Sequence, residues 1–395
     1  MNLDIHLTTG CNMKCSFCGA WEQDIDCSTM ENTYVYHALE EGKKYGYKVV
    51  TLTGGEPLLH RDIKSIIQYA SKLGYWVCIT TNGLAIDREI IDVVKSNKCI
   101  LRVSLHTLHA DLHNAMTGGN SFDTVVGNIE KLKENGVYYG LGMTVYEDNK
   151  SEIPQMAKFA WEQKAAFIRY TPVVNIRQGK NLRCDEQVYM EMLYSICKTA
   201  VHNMSLLEYK RNPNIRGKDM LDTMLTRQCA AGSRMFVILD TEKNIVPCSF
   251  IEQKFELYEK DFEAAKDFDR MKNRMENVFE DMGELGLKGT CKTCTFSKTC
   301  RGGCLANKLS VNLNPNDQQP ICYRKVVYKV LSHFTEKEQE KLADYWTYHY
   351  LKKCVGVEKN KVCFRRLPIW ELNFKPGSYF YAENENFKIP ELQED

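Results

Sequence analysis

The residues with the clearest chemical potential in this sequence form a short run near its start. Gly10 is followed by three cysteines in the spacing CX3CX2C, namely Cys11, Cys15 and Cys18. Three thiolates on one short loop can ligate three irons of a [4Fe–4S] cube and leave the fourth iron without a protein ligand. An electron-transfer ferredoxin supplies four thiolates, so three indicate a cluster that binds a substrate or a cofactor. Structural zinc, with His6 as a further ligand, is the alternative.

A second run of interest reads Thr51-Leu52-Thr53-Gly54-Gly55-Glu56-Pro57. Glycines let a backbone approach a ligand closely, and Glu56 offers a carboxylate to an ammonium group. Taken alone, the run is also typical of an ordinary strand-to-helix turn. Its position one predicted strand after the three cysteines favours a shared site, because loops at the carboxyl ends of parallel strands open on the same face.

A third group of cysteines lies far downstream. It comprises the CX2CX5CX3C run Cys291, Cys294, Cys300 and Cys304, with Cys322 after it and Cys229 and Cys248 before it. Arg301-Gly302-Gly303 allows the loop to turn tightly against a metal. From spacing alone, a zinc ribbon is a possible interpretation of this group.

The composition narrows the function classes. The chain has 395 residues, 52 Lys+Arg against 51 Asp+Glu, and 17 cysteines. A net charge of +1 argues against attachment to nucleic acid or to an anionic membrane through bulk charge. The start has no signal peptide pattern, and no apolar run reaches the roughly 18 residues of a membrane helix. We therefore expect a cytoplasmic protein whose cysteines bind metal rather than form disulfides.

The elements that must position these residues follow a βα rhythm from residue 2 to about residue 210. Alternating or apolar runs predict six strands, at Leu3–Leu7, Lys48–Thr53, Trp76–Thr80, Ile100–Ser104, Tyr139–Val145 and Phe167–Thr171. Between them lie helical patterns, with Asp87 and Ser121 at positions typical of N-caps. The fold class is therefore α/β, and six units in series predict an open, partial (β/α)6 barrel of the TIM type.

Three regions are expected: the barrel over residues 1–210, a small cysteine-rich domain over residues 211–325, and a C-terminal extension over residues 326–395 of unknown role. The extension is predicted to be helical to about Lys353 and rich in aromatic residues. Tyr345 and Trp346 are two of these aromatics. They are expected to pack the extension against the barrel rather than to form a peptide-binding surface.

The first two runs together resemble the radical S-adenosylmethionine (SAM) enzymes. Their cysteine loop is CX3CXφC, with an aromatic φ that is Phe17 here, and their second strand ends in Gly-Gly-Glu. The resemblance implies that Cys11, Cys15 and Cys18 hold a [4Fe–4S] cluster whose open iron binds the amino and carboxylate groups of SAM. It implies that Phe17 lies near the adenine of SAM and that Gly54, Gly55 and Glu56 contact its amino group. It also implies cofactor contacts from Asn82 and Ser104, at the ends of the next two strands. His106 stands where an Asp is common in relatives.

The third group of cysteines resembles the SPASM domain, which extends radical SAM barrels with auxiliary clusters. The resemblance implies two further [4Fe–4S] clusters with interleaved ligands. Cys291, Cys294, Cys300 and Cys322 would hold the distal cluster, and Cys229, Cys248 and Cys304 the proximal one. Since only three thiolates remain for the proximal cluster, its fourth ligand stays open. Lys243 stands where the pattern has a glycine, five residues before Cys248.

The resemblance implies an enzyme that cleaves SAM reductively, forms a 5′-deoxyadenosyl radical and abstracts hydrogen from a peptide. A ribosomal-peptide maturase that forms a thioether or carbon–carbon cross-link is the expected function. A flavodoxin-type or ferredoxin-type electron donor is an expected partner. Only ten residues precede Cys11, so the N-terminal peptide-recognition domain of many maturases is expected to be absent, and precursor capture is expected from a separate protein or from the C-terminal extension. A dehydrogenase of a small molecule and a non-enzymatic zinc-ribbon or electron-relay protein are the alternatives. Sulfatase-maturing members of the family carry an acidic residue at the position of Ser249. The serine therefore argues against the sulfatase-maturing branch.

Overall fold

Six parallel strands alternate with helices in the first half of the chain. The computed structural model describes residues 2–19, 27–44, 46–97, 99–204, 286–294, 297–300, 302–311, 313–314, 316–354 and 371–374, with the backbone of 236–239 and 245–246. The six strands are β1 Asn2–Thr8, β2 Val49–Gly54, β3 Trp76–Thr81, β4 Cys99–Ser104, β5 Tyr139–Val145 and β6 Phe167–Pro172. Every predicted strand is confirmed to within two residues, because the period-two and apolar runs are buried in the sheet.

The helices between the strands are amphipathic and bury one face against the sheet. They are α1 Asn32–Lys44, α2 Ile63–Lys72, α3 Arg88–Ser96, α4 Ala110–Thr117, α5 Phe122–Glu134, α6 Ile153–Glu162 and α7 Glu186–His202. In α2, Ile63, Ile66, Ile67 and Ala70 are all buried, as the helical period requires. Asp87 caps α3, since its side chain accepts a hydrogen bond of 2.8 Å from the Ile90 amide. Ser121 precedes α5 without a capping bond of its own.

The sheet extends beyond the six predicted strands. The strand order is β8-β7-β1-β2-β3-β4-β5-β6-β9. Here β7 is Phe236–Leu239, β8 is Ile245–Val246 and β9 is Glu371–Asn373. Strand β7 joins β1 in parallel, whereas β9 joins β6 antiparallel. The fold is therefore an open α/β sheet of the partial-barrel type, with the two edges of the barrel covered by segments from the second half of the chain.

The two faces of the strands differ in chemistry. Leu3, Ile5 and Leu7 pack in the main hydrophobic core. The alternate residues Asp4 and His6 lie on the opposite, inner face of the barrel. Arg169 of β6 is also buried, and it forms an ion pair with Glu371 of β9. The inner face therefore carries buried polar and charged groups beside a small apolar cluster of Ile100, Ala166 and Phe167, while the helix-covered face supplies the main hydrophobic core.

The described part of the cysteine-rich region contains short helices joined by loops. It contains α8 Ser297–Cys300 and α9 Leu305–Ser310, and it is followed by α10 Tyr323–Leu331 and α11 Glu336–Cys354. Helix α10 packs against α7 of the barrel, where the hydroxyl groups of Tyr189 and Tyr323 lie 3.1 Å apart. No helix among the described residues is both long enough and apolar enough to traverse a lipid bilayer.

The C-terminal extension packs on the barrel through its aromatics, as expected. Tyr345 and Trp346 are fully buried. The Tyr345 hydroxyl accepts a hydrogen bond of 2.8 Å from the backbone amide of Asn373 in β9. Helix α11 therefore secures the last strand of the sheet. Phe334 is buried as well, and Tyr328 is exposed. The side chains of Tyr348, Tyr350, Trp370 and Phe380 lie outside the described residues.

Candidate active site

The three-cysteine loop follows β1 directly and lies at the carboxyl ends of the strands. Cys11 is exposed, while Cys15 and Cys18 are half-buried. The loop turns on itself through a hydrogen bond of 3.2 Å from the Cys18 amide to the Cys15 carbonyl. The end of α4 fixes it from the side, because the amides of Lys14 and Ser16 donate to the carbonyls of Thr117 and Met116, each at 2.9 Å.

Gly54 and Gly55 place the end of β2 directly against this loop. The Gly55 amide donates to the Thr8 carbonyl at 2.7 Å, and the Glu56 amide donates to the Gly10 carbonyl at 2.8 Å. A side-chain carbon on Gly54 would overlap the Thr8 carbonyl, and one on Gly55 would overlap the Gly10 carbonyl. Gly54 also has a φ of +131°, which favours glycine. The close approach that the sequence assigned to a ligand is therefore made, within the chain, by the cysteine loop itself.

The Glu56 carboxylate is buried and accepts three hydrogen bonds. Its Oε1 accepts from the Leu58 amide at 3.0 Å and from the Thr81 hydroxyl at 2.8 Å, and its Oε2 accepts from the Asn82 amide at 2.6 Å. Burial raises the pKa of Glu56, and these three bonds oppose the rise. Glu56 thus ties the ends of β2 and β3 together behind the cysteine loop.

Asn82 connects the end of β3 to the same loop. Its Nδ2 donates to Asn12 Oδ1 at 2.6 Å and lies 3.8 Å from the Sγ of Cys11. Ser104 ends β4 in register with Gly142 of β5. Both residues predicted to bind the cofactor are therefore at the rim on which the cysteines lie.

An aromatic pair closes one side of the site. The Phe17 ring meets the His106 ring edge-on, with 4.4 Å between centroids. His106 is buried, and its Nδ1 accepts a hydrogen bond of 3.0 Å from the Thr144 amide. The proton of the neutral ring is therefore on Nε2. Burial, with His113 nearby, lowers the pKa of His106 to about 3, so this wall is uncharged at neutral pH.

The loop fits a [4Fe–4S] cluster with an open iron. Burial raises the pKa of the Cys15 thiol, and the neighbouring Cys18 and Cys11 raise it further. No three His, Cys, Asp or Glu side chains within the described ranges could hold a metal ion as they stand. In a cube, by contrast, each thiolate takes an iron of its own.

Four of the downstream cysteines lie close enough together to interact electrostatically. Cys291 interacts electrostatically with Cys294, Cys300 and Cys322, and Cys300 interacts with Cys294 and Cys322. These four are the residues assigned to one cluster by the sequence pattern. Cys304 caps α9 and is electrostatically coupled to the buried hydroxyls of Tyr189 and Tyr323 instead.

Two buried cations accompany these cysteines. Lys308 is fully buried on α9 and interacts with Cys291, Cys300 and Cys304. Arg324, which follows Cys322 closely and is 7% exposed, interacts with Cys294, Cys300 and Cys322. Lys308 also has Asp317 as an anionic neighbour. Buried positive charge beside these cysteines is compatible with an anionic group such as an iron–sulfur cluster. Neither residue belongs to the cysteine pattern, so no sequence signal distinguishes them from the other Lys and Arg residues.

The glycine turn between Cys300 and Cys304 makes room for the lysine. Gly302 has a φ of +74°, and a side-chain carbon there would lie 2.9 Å from the Lys308 Nζ. Gly303 lies against the side chain of Gln319. The Oε1 of Gln319 accepts a hydrogen bond of 2.7 Å from the Cys304 amide. The turn is therefore as tight as the sequence predicts.

The remaining cysteines have different environments. Cys229 and Cys248, assigned to the proximal cluster, lie outside the described residues, as does Cys363. Cys78, Cys99 and Cys197 are buried. Cys184 is buried as well, whereas Cys27 is exposed beside Gly10.

Comparison with known proteins places these sites in context. Residues 5–160 match the family model described as Radical SAM superfamily. The AdoMet-dependent heme synthase of Methanosarcina barkeri is 24% identical over 345 residues, which make up 80% of this chain and 94% of that protein. AlbA, the antilisterial bacteriocin subtilosin biosynthesis protein of Bacillus subtilis, is 23% identical over 333 residues, 82% of this chain and 70% of that protein.

The fold also matches solved structures. The crystal structure of Streptococcus suis SuiB bound to its precursor peptide SuiA superposes with a TM-score of 0.63 at 17% identity. The alignment covers 80% of this chain and 74% of that one. The likeness therefore extends past the barrel into the cysteine-rich region.

Proposed function

Because this chain is a radical SAM enzyme with a SPASM-like extension, we propose that it abstracts a hydrogen atom from a peptide. We further propose that it is a ribosomal-peptide maturase that forms a thioether or carbon–carbon cross-link. The observation that carries the proposal is the contact between the three-cysteine loop and Gly54-Gly55-Glu56 at the mouth of the barrel. A cluster and SAM bound there supply reductive cleavage of SAM to methionine and a 5′-deoxyadenosyl radical.

The residues of the loop hold the cofactors in this proposal. Cys11, Cys15 and Cys18 are the three cluster ligands. A carboxylate has about four acceptor positions. Three hydrogen bonds from the protein fill acceptor positions of Glu56 and hold its carboxylate beside the loop. A further position suits the SAM ammonium group, next to the backbone of Gly54 and Gly55.

The walls of the site position SAM and exclude water. Phe17 is held against the uncharged His106 and presents an apolar surface to the adenine. The side-chain amide of Asn82 contacts the Cys11 sulfur and orients it. Ser104 offers a hydroxyl at the end of β4. These residues act by binding and orientation, while the cofactor supplies the reactive group.

The downstream site holds two auxiliary [4Fe–4S] clusters in the same proposal. Cys291, Cys294, Cys300 and Cys322 are the ligands of the distal cluster, and their mutual electrostatic coupling supports this grouping. Cys304, together with Cys229 and Cys248, is assigned to the proximal cluster. An auxiliary cluster can accept the electron that remains after hydrogen abstraction.

The peptide substrate is supported by two relatives. AlbA is a bacteriocin biosynthesis protein, and SuiB has been crystallised with a precursor peptide. We propose a flavodoxin-type or ferredoxin-type protein as the electron donor and a separate recognition protein for the peptide. A reducing, cytoplasmic setting suits the free thiols of the described cysteines.

A small-molecule substrate is the second candidate. The heme synthase of M. barkeri matches across 94% of its own length, and its name describes a synthase of a small molecule. Both candidates use the same cluster loop, so they differ only in the substrate held on the inner face of the barrel.

Mass spectrometry of a short peptide encoded next to the gene, co-expressed with this chain or with its Cys15→Ala variant, separates the candidates. A mass loss of about two hydrogens that appears only with the unmodified enzyme supports the maturase. An unmodified peptide, together with 5′-deoxyadenosine formation that depends on a small molecule, contradicts it. Iron and sulfide analysis after anaerobic purification should give about 12 irons per chain, from three four-iron clusters.

A further inference from the structure

A fully buried amide stands at the turn that follows β5. The side chain of Asn149 has no solvent exposure, and its Oδ1 accepts a hydrogen bond of 3.0 Å from the Tyr146 amide. Its Nδ2 donates to two backbone carbonyls, that of His106 at 2.9 Å and that of Thr144 at 2.8 Å. Because an amide nitrogen carries two donors, both donors of Asn149 are used and its orientation is fixed.

The two carbonyls belong to residues that are also bonded to each other. The Thr144 amide donates to the Nδ1 of His106 at 3.0 Å. Asn149 therefore holds His106 at its backbone, while Thr144 holds it at its ring. Rotation of the ring would break the bond to Thr144, and displacement of the backbone would break the bond to Asn149.

Phe17 contacts the ring that is held in this way. The centroids of the Phe17 and His106 rings are 4.4 Å apart in an edge-on arrangement, and Phe17 directly precedes Cys18 on the cysteine loop. An edge-to-face contact is favourable only while both rings keep their relative orientation. The orientation of Phe17 therefore depends on His106 and, through it, on Asn149.

We propose that Asn149 is a positioning residue for SAM, because it keeps the Phe17–His106 pair in the orientation that receives the adenine. This inference rests on the placement of the adenine beside Phe17 in the proposed function. The effect falls on cofactor affinity rather than on iron content, because the end of β2 and the end of α4 hold the cysteine loop through separate backbone hydrogen bonds.

Glu152 confines the effect of a change at Asn149 to His106. Its carboxylate accepts hydrogen bonds from the Thr107 hydroxyl at 2.6 Å and from the Leu108 amide at 2.8 Å. These bonds anchor the two residues that follow His106. The path of the chain into α4 is therefore retained when Asn149 is replaced.

The test is the Kd of SAM, measured by anaerobic equilibrium dialysis on the iron-loaded full chain. Asn149→Asp keeps the size of the side chain and removes both N–H donors. Asn149→Ser, which keeps one donor, replaces it if the aspartate variant does not fold. Asn97→Ala is the matched control, because its amide also donates to a backbone carbonyl, that of Val93 at 2.8 Å, but in the turn between α3 and β4. Phe17→Leu removes the ring through which Asn149 acts.

For Asn149→Asp or Asn149→Ser we expect the Kd of SAM to rise about three- to tenfold, the range that an aromatic contact contributes, at unchanged iron content. In the Phe17→Leu background the same substitution should have little further effect. Asn97→Ala should leave the Kd unchanged.

A purely structural role would lower the Tm without changing the Kd of the iron-loaded protein, and that result overturns the inference. Loss of iron in the Asn149 variant, or full additivity with Phe17→Leu, overturns it as well. In these three cases a higher Kd in Phe17→Leu alone leaves the proposed function intact. An unchanged Kd in Phe17→Leu contradicts both the inference and the proposed position of the adenine.

Discussion

The amide of Glu56 donates to the carbonyl of Gly10 at 2.8 Å, so the residue after the paired glycines and the residue before the first cysteine form one joint. Gly55 lies against the same carbonyl with no room for a side chain. The end of β2 therefore holds the cysteine loop in place. The positions of the three proposed cluster ligands depend on a backbone contact made outside their own loop.

Gly55→Ala is expected to displace this loop and to lower the iron content by about four per chain, with the secondary structure retained. A methyl group at this position would overlap the Gly10 carbonyl. Iron analysis with circular dichroism measures both effects. Gly127→Ala is the matched control, since a side-chain carbon there meets nothing within 4 Å. Full iron loading of Gly55→Ala would contradict the role assigned to the joint.

Glu56→Ala is expected to destabilise the fold more than Glu56→Gln. Alanine leaves the Leu58 amide, the Thr81 hydroxyl and the Asn82 amide without their acceptor, at roughly 1–3 kcal/mol for each buried group left unsatisfied. Glutamine keeps one oxygen and removes the cost of a buried charge. Urea unfolding of the cluster-free protein compares the two variants. Equal losses of stability would mean that the three hydrogen bonds contribute little.

The buried pair of Arg169 and Glu371 should show strong coupling. Its side chains are 7% and 1% exposed, with Nη2 2.7 Å from Oε2. Arg169→Met alone leaves the buried Glu371 carboxylate without this cation, and Glu371→Met alone removes the carboxylate from the buried Arg169; each change costs about 3–5 kcal/mol. The double variant Arg169→Met/Glu371→Met is expected to lose less than the sum of the single changes. A double-mutant cycle by chemical denaturation measures this coupling, and strict additivity would exclude it.

Acidification is expected to destabilise the fold through His106. Its pKa is lowered to about 3 by burial, with His113 nearby, whereas an unfolded histidine titrates near 6.5. Below pH 6.5 the unfolded chain therefore binds a proton that the folded chain does not. The stabilisation present above pH 6.5 is lost as the pH falls toward 3, and at pH 5 this amounts to about 2 kcal/mol.

The pH dependence of urea unfolding between pH 7 and 5 tests this expectation. His106→Gln removes the titrating ring and should flatten the dependence. His202→Gln, at an exposed position on α7, should leave it unchanged. A dependence that persists in full in His106→Gln would assign the effect to other groups, of which the buried His113 is the first to examine, because burial lowers its pKa too.

The barrel was predictable from sequence because its strands and helices carry their own periodic signals. Strand β9 was not. Glu371, Leu372 and Asn373 contain one apolar residue, and they form a strand only because β6 offers a partner and Arg169 offers a charge. Strand β7 is different, because its run Phe236–Leu239 is apolar and carries a local strand signal. Strand β8 has two residues and is defined by its pairing with β7.

The candidate site was likewise predictable only in part. The cysteine spacing and the Gly-Gly-Glu run are local signals, so the residues at the mouth of the barrel could be named from the sequence. What Gly54 and Gly55 contact depends on how β1 and β2 align, which no local pattern encodes. Lys308 and Arg324 are two among 52 Lys and Arg residues, and only their burial beside the cysteines distinguishes them.

The pairing of β9 with β6 has a consequence for synthesis of the protein. About 200 residues separate the end of β6 from the start of β9, and ribosomes add roughly 5–20 residues per second. For about 10–40 seconds, therefore, a nascent chain carries the edge of β6 without the strand that covers it. An open edge is a template for pairing with other chains, so a growing polypeptide is most exposed to aggregation in this interval. Slow codons between the two strands would lengthen that interval.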